Sequence, residues 1–134
     1  MGASAEAIEG ALEHRRELGQ LVAELERTDG MLHVRLSGRS VSRDDVLPAF
    51  LGRLLRTART ERRVMALHFE RLLYFDSSTL AALVWLVREA HAAGVGLNVV
   101  YDPHQRWQAV SFDALRRALP VQGQAGTAVH FSES

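Results

Sequence analysis

The chain contains no cysteine and no lysine among its 134 residues. The absence of cysteine excludes disulfides, thiol catalysis and cysteine-bound zinc. The longest unbroken apolar stretches, such as Leu80 to Val87, are far shorter than the roughly 20 residues of a membrane-spanning helix. No basic segment followed by an apolar stretch marks a secretory signal at the start of the sequence. We therefore expect a cytoplasmic protein with no membrane span.

An excess of charge of either sign is also absent. The 16 basic residues, all arginine, balance 16 acidic residues and give a formal net charge of zero. A dedicated nucleic-acid-binding domain is usually strongly basic, so the sequence predicts no nucleic-acid partner. The run of arginines from Arg53 to Arg63 is interpreted as a solvated helix face, because no aromatic residues are interleaved with it.

Catalytic and metal-binding patterns are missing as well. The six histidines show no pair at the close spacing that zinc sites normally have, so no metal is expected. His68 is interpreted as a buried, hydrogen-bonded histidine. No glycine-rich phosphate loop, paired-carboxylate motif or Gly-x-Ser-x-Gly turn is present. These absences predict that the protein is not an enzyme and needs no cofactor.

What the sequence does contain is an ordinary globular composition, with 47% apolar and 24% charged residues in a length typical of one domain. Residues 1–28 carry apolar positions at three- and four-residue steps, which predict an amphipathic helix before a domain over 29–134. These positions are Ile8, Leu12, Leu18, Leu21, Val22 and Leu25. Such a helix either packs on its own domain or forms a homodimer or docks a partner, and both interpretations stay open.

Strands alternate with helices over the rest of the chain. Strands are predicted at Met31–Leu36, Val64–Phe69, Val95–Tyr101 and Ala128–Phe131, and helices after a cap at Ser42, over 80–92 and over 104–119. This alternation predicts an α/β layer with a mostly parallel sheet. The first of these strands has one polar face, so we expect it at an edge of the sheet.

One short motif, Phe75-Asp76-Ser77-Ser78-Thr79-Leu80, lies between a predicted buried strand and a helix. The carboxyl ends of strands are where α/β sheets place functional groups. The plainer interpretation is that Ser77 or Ser78 is the N-cap of the following helix.

The surrounding segment, residues 67–83, resembles the signature of the STAS domain. That family comprises the bacterial anti-sigma factor antagonists and the cytoplasmic domains of sulphate transporters. Leu36-Ser37-Gly38 is similar to the family's first-strand ending, and Gly94 to Val100 is similar to its strand after the helix. The resemblance covers roughly residues 30–131. It implies a STAS-like layer of mostly parallel, mixed β-sheet with helices.

The resemblance also implies a function, that of a non-catalytic protein-binding module in a bacterial partner-switching pathway. In antagonists of this family, an anti-sigma serine kinase phosphorylates the serine after the motif aspartate, and a PP2C-type phosphatase removes the phosphate. By position that serine is Ser77, with Ser78 next to it. The implied partner-binding residues are Asp76, Thr79, Leu80, Gly38 and Arg39.

The sequence departs from the family pattern at several positions. Thr79 replaces the usual glycine, His68 stands where an aspartate is frequent, and Arg39 follows Gly38 where the family often has glutamate. The loss of these acidic groups keeps a second interpretation open, a constitutive adaptor or scaffold STAS protein, associated with a transporter or stressosome, that is not phosphorylated.

The spacing Trp107-Gln108-x-x-Ser111-Phe112 has no mechanism that the sequence alone supplies. Core packing is expected for one of the two tryptophans, Trp85 and Trp107. The large area of an indole ring makes burial its most frequent use.

Overall fold

The computed structural model describes residues 14–41, 45–118 and 129–133. Its elements in chain order are β1 Arg15–Leu18, β2 Leu21–Thr28, β3 Met31–Ser40, α1 Val46–Glu61, β4 Val64–Phe75, α2 Ser77–Ala93, β5 Leu97–Tyr101, α3 Arg106–Ala118 and β6 Val129–Glu133. The six strands form one sheet in the order β1-β2-β3-β4-β5-β6. The first three strands pair antiparallel and the pairs from β3 to β6 are parallel. The predicted α/β class with a mixed, mostly parallel sheet is confirmed.

The helix predicted over residues 1–28 is wrong where the structure describes this segment. Residues 15–28 form β1 and β2, joined at Gly19, whose φ of 64° is one that glycine adopts readily. Along β2, buried Leu21, Ala23 and Leu25 alternate with more exposed residues, which is the period of a strand. The predicted homodimer through an N-terminal helix therefore finds no helix within residues 15–28. Residues 1–13 lie outside the described part of the chain.

Two further expectations about strands are corrected. β3 is not at an edge of the sheet, because it pairs with β2 on one side and β4 on the other. The polar residues that alternate with its buried ones lie on the face of the sheet opposite the core. β4 continues beyond the predicted end at Phe69 as far as Phe75, so the strand leads directly into the motif.

The sheet has one apolar face and one polar face. The register places Leu25, Val34, Leu67, Val99 and Phe131 in one row across five strands, and all of these belong to the core or pack against it. The neighbouring row, on the opposite face, consists of Glu26, His33, Ala66, Asn98 and His130.

All three described helices contribute side chains to the core on the apolar face. In α1 the buried stripe includes Phe50, Leu51 and Leu54, as the three- and four-residue spacing requires. The predicted cap at Ser42 lies outside the described residues. Among the helices that the structure describes, none combines the length and the apolar character that a membrane crossing needs.

Candidate functional site

The sequence motif lies where three chain segments meet. β3 and β4 are parallel, so their carboxyl ends, at Ser40 and Phe75, are adjacent, and these two residues are paired in the register. α2 begins directly after β4, and Asp76 connects the two. The motif is therefore at the carboxyl edge of the parallel strands, the position where α/β folds bind their partners and ligands.

The N-cap of α2 is Asp76, and not Ser77 or Ser78 as predicted. The Asp76 carboxylate accepts hydrogen bonds from the Thr79 backbone N–H and from the Thr79 hydroxyl, each at 2.9 Å. The Asp76 backbone N–H donates to the Ser40 carbonyl oxygen at 3.1 Å. Asp76 is thus fixed by both the helix that it caps and the end of the neighbouring strand.

Thr79 is a buried part of this arrangement. Thr79 is only 2% exposed. Its hydroxyl is 2.7 Å from the Ser40 hydroxyl and 3.2 Å from the Ser40 carbonyl oxygen. The partner contact predicted for Thr79 does not fit this position, because a docked protein cannot reach it in this conformation. The hydroxyl instead connects β3 to the cap of α2.

Ser77 and Ser78 are both exposed in the first turn of α2. The first backbone N–H groups of a helix have no partner within the helix, and the helix dipole makes this end favourable for negative charge. Since Asp76 is already the cap, neither serine is needed to begin the helix. A phosphate on either side chain would therefore extend into solvent without breaking the cap.

Exposed apolar side chains occur at the strand ends that lead to the motif. Seven large apolar residues are exposed in the described part of the chain, and four of them lie at the ends of β3 and β4 or at the first residue of α1. These four are Val41 at 45%, Val46 at 51%, Leu73 at 67% and Tyr74 at 40% exposure. The three at the paired ends of β3 and β4 make up an apolar patch, Val41, Leu73 and Tyr74, which sequence reasoning missed. The run of four apolar residues from 72 to 75 could have revealed it. Successive side chains of a strand point to opposite faces, so four in a row cannot all face one core.

The remaining predicted contact residues have different roles. Arg39 is exposed, and its guanidinium carbon lies 4.9 Å from the centre of the Tyr74 ring, in a cation–π arrangement at the edge of the apolar patch. Leu80 is half-buried and packs against the core. Gly38 pairs with Leu72 in β4 and has a φ of 85°, so its direct role is in the backbone of β3.

A second polar cluster lies on the open face of the sheet. The Nδ1 atom of His33 is 3.0 Å from Nε2 of His68, and Nε2 of His33 is 3.0 Å from the Thr28 hydroxyl. Nδ1 of His68 is 3.6 Å from the Glu70 carboxylate. His68 is therefore hydrogen-bonded, as expected, although it is half-buried. The described residues include no group of acidic or histidine side chains placed to bind a metal ion.

Burial lowers the pKa of the His68 imidazole below its ordinary 6.5, against the opposing effect of the Glu70 carboxylate, and the charges of Arg35 and His33 lower the pKa further. The unfolded chain therefore binds a proton at His68 more readily than the folded chain. The contribution of His68 to stability is complete above pH 6.5 and is lost as the pH falls through the lower folded pKa.

We expect the free energy of unfolding of the wild type to fall between about pH 8 and about pH 5 more steeply than that of His68→Gln. Urea unfolding at a series of pH values measures both slopes. Equal slopes for the two proteins would contradict this prediction, and a comparison at about pH 8 separates the pH effect from any constant loss caused by the substitution.

Comparison with known proteins shows what this architecture is. No protein-family model and no curated protein sequence matches the chain. Solved structures do match it. An anti-sigma factor antagonist from Mycobacterium paratuberculosis is 17% identical, with a TM-score of 0.53 over 81% of this chain and 90% of that chain. The fold is STAS-like.

Two further structures support the same assignment. A protein from Shewanella loihica, described as having a SpoIIAA-like fold, is 13% identical, with a TM-score of 0.54 over 89% of this chain and 88% of that one. A chain in the complex of the diguanylate cyclase SiaD with its activator SiaC, from Pseudomonas aeruginosa, is 17% identical, with a TM-score of 0.55 over 90% of this chain and 98% of that one. The resemblance of the motif to the STAS signature and the arrangement of the elements therefore agree.

Proposed function

We propose that this STAS-like protein is a non-catalytic, cytoplasmic protein-binding module of a partner-switching pathway, controlled by phosphorylation of Ser77. The single observation that carries the proposal is the exposure of Ser77 in the first turn of α2, directly after a cap that does not depend on it. Ser78, which is also exposed, is the alternative acceptor. Structural neighbours named as an anti-sigma factor antagonist and as a cyclase–activator complex are consistent with protein partners.

The docking surface that we propose is the apolar patch of Val41, Leu73 and Tyr74, together with Arg39 and Asp76. A partner that covers this patch removes apolar area from water, which is the main driving force of association. A phosphate on Ser77 would place about −1.5 to −2 charges at the margin of the same surface. Burying that charge without a compensating partner group is costly, so the phosphorylated form would dissociate.

The expected modifying partners follow from the resemblance, an anti-sigma-type serine kinase and a PP2C-type phosphatase. Peptide mapping of the protein recovered from its own cells, during growth and under stress, tests for the modification directly. We expect phosphate on Ser77 in one of the two conditions. Its absence from both Ser77 and Ser78 in both conditions would favour the constitutive adaptor instead.

Binding variants test the switch itself. Ser77→Asp is expected to unfold at the same temperature as the wild type but to bind the partner at least about 30-fold more weakly, whereas Ser77→Ala binds normally. Thr60→Asp, a charge added at an exposed position of α1, is the matched control and should retain affinity. Titration of the purified partner against each variant gives the affinities. Equal affinities for Ser77→Ala and Ser77→Asp would refute charge control at this position.

A further inference from the structure

β3 and β4 run side by side with different numbers of residues. Arg35 pairs with His68 and Ser40 pairs with Phe75, so five steps along β3 accompany seven steps along β4. Two irregularities in the register account for the difference, one between Arg35 and Ser37 and one between Gly38 and Arg39 of β3. The end of β4 is therefore a bulged strand.

The bulge determines which side chains of β4 face outward. Leu72 and Phe75 are buried, while Leu73 and Tyr74 between them are both exposed. A regular strand turns successive side chains to opposite faces, so two adjacent exposed residues between two buried ones require an extra residue. The exposed apolar pair thus exists because the register is broken at this point.

α3 and the residue just before it, Gln105, supply the hydrogen bonds that hold the bulged segment. The side chain of Gln108, a fully buried residue, donates from Nε2 to the carbonyl oxygens of Phe69 at 2.7 Å and Leu72 at 3.1 Å. Its Oε1 accepts from the Asp102 backbone N–H at 2.8 Å. Gln105 donates from Nε2 to the Glu70 carbonyl oxygen at 2.8 Å. Two glutamine amides therefore bind three carbonyl groups of one four-residue segment.

Aromatic rings of the same helix support the residue that ends the bulge. The Trp107 ring packs edge-on against Phe75 with ring centres 5.3 Å apart, and Phe112 does so at 5.7 Å. The Trp107 indole N–H donates to Oε1 of Gln105 at 3.2 Å. The spacing of Trp107, Gln108 and Phe112 is thereby explained, since all three side chains contact the last third of β4.

We propose that Gln108 is a positioning residue for the docking surface, which fixes the bulge of β4 and so turns Leu73 and Tyr74 outward together. Gln105 assists it at the middle of the segment. This proposal rests on the proposed function only where it assigns Leu73 and Tyr74 to docking. The effect of Gln108 on the bulge is a property of the free protein.

Gln108→Leu tests the proposal, because leucine is similar in size to glutamine but has no amide. In nuclear Overhauser spectra of the free protein, we expect the variant to lose the cross-strand contacts of the Arg39–Tyr74 and Ser40–Phe75 pairs. The contacts of the Val34–Leu67 pair, before the bulge, should remain. Retention of all three sets in Gln108→Leu would overturn the proposal.

Leu115→Ala is the matched control. It weakens the same helix at a buried side chain but leaves the amide bonds of Gln108 and the ring contacts of Phe75 in place. We expect it to lower stability while retaining the Ser40–Phe75 contacts. Loss of these contacts in Leu115→Ala as well would mean that general weakening of the helix, and not removal of the amide, shifts the register.

Gln105→Ala gives a milder test if Gln108→Leu does not fold. It removes the bond to the Glu70 carbonyl oxygen and should raise amide exchange rates over residues 70–74 by about tenfold, with α1 unchanged. Equal exchange rates in Gln105→Ala and the wild type would refute the proposal that the glutamine amides fix the bulged segment. None of these measurements requires phosphate or a partner. Failure of this proposal and failure of the phosphorylation switch are therefore observed separately.

Discussion

Gly38→Ala is expected to lower the free energy of unfolding by about 2 to 4 kcal/mol. Gly38 has a φ of 85°, a conformation that costs other L-residues about 1 to 2 kcal/mol. A Cβ atom built on Gly38 would also lie only 2.2 Å from the carbonyl oxygen of Gln20. That oxygen accepts a hydrogen bond from the Arg39 backbone N–H, so it cannot move away without breaking the bond between the β1–β2 turn and β3.

Gly30→Ala is the matched control for this prediction. Gly30 has a similar φ of 79°, but nothing lies within 4 Å of a Cβ atom built there. It should therefore show the conformational cost alone, about 1 to 2 kcal/mol. Urea unfolding of the two variants gives the difference, which measures the overlap with Gln20. Equal losses in the two variants would show that the backbone relaxes around the added methyl group.

The β1–β2 hairpin shows why part of the fold was mispredicted from the sequence. Leu18, Leu21, Val22 and Leu25 have helical spacing, yet Leu21 and Leu25 also fit the alternation of β2 with Ala23 between them. The same residues fit both a helical and a strand period. Pairing with β3, later in the chain, is what makes this segment a strand. Leu25 lies beside Val34, in a strand that the local pattern did identify.

Helices and parallel strands with long periodic patterns were predicted well, because their own side chains determine which face is buried. α1 shows this, with Phe50, Leu54 and Ala58 buried at the expected spacing. The bulged end of β4 could not be predicted in this way. Its carbonyl groups are bound by Gln108, which lies 36 residues after Leu72 in the chain.

The candidate site was predicted in position but not in detail. An Asp-Ser-Ser segment before an apolar helix offers three capping residues of similar strength, so the sequence located the start of α2 without deciding which residue caps it. The choice of Asp76 depends on its bond to Thr79 and on the Ser40 carbonyl oxygen. Ser40 is 39 residues before Thr79, so no local pattern reveals that pairing.

Thr79→Val is the second substitution with a large expected effect, a loss of about 1 to 3 kcal/mol in the free energy of unfolding. Valine has the shape of threonine but no hydroxyl, so the Ser40 hydroxyl and the Asp76 carboxylate each lose the hydrogen bond that they make with the Thr79 hydroxyl. Ser40 and Thr79 are both buried, so water does not replace the bond between their hydroxyls. Urea unfolding measures the loss.

Thr60→Val controls for the same chemical change at an exposed position of a helix, where we expect a change within about 0.5 kcal/mol. Ser40→Ala completes a double-mutant cycle with Thr79→Val. Because the two hydroxyls are 2.7 Å apart, the double variant should lose less stability than the sum of the single variants. Strict additivity would mean that Thr79 stabilises α2 through Asp76 alone. Coupling would instead show that the hydroxyl found where the STAS pattern usually has glycine holds the end of β3 against the helix that carries Ser77.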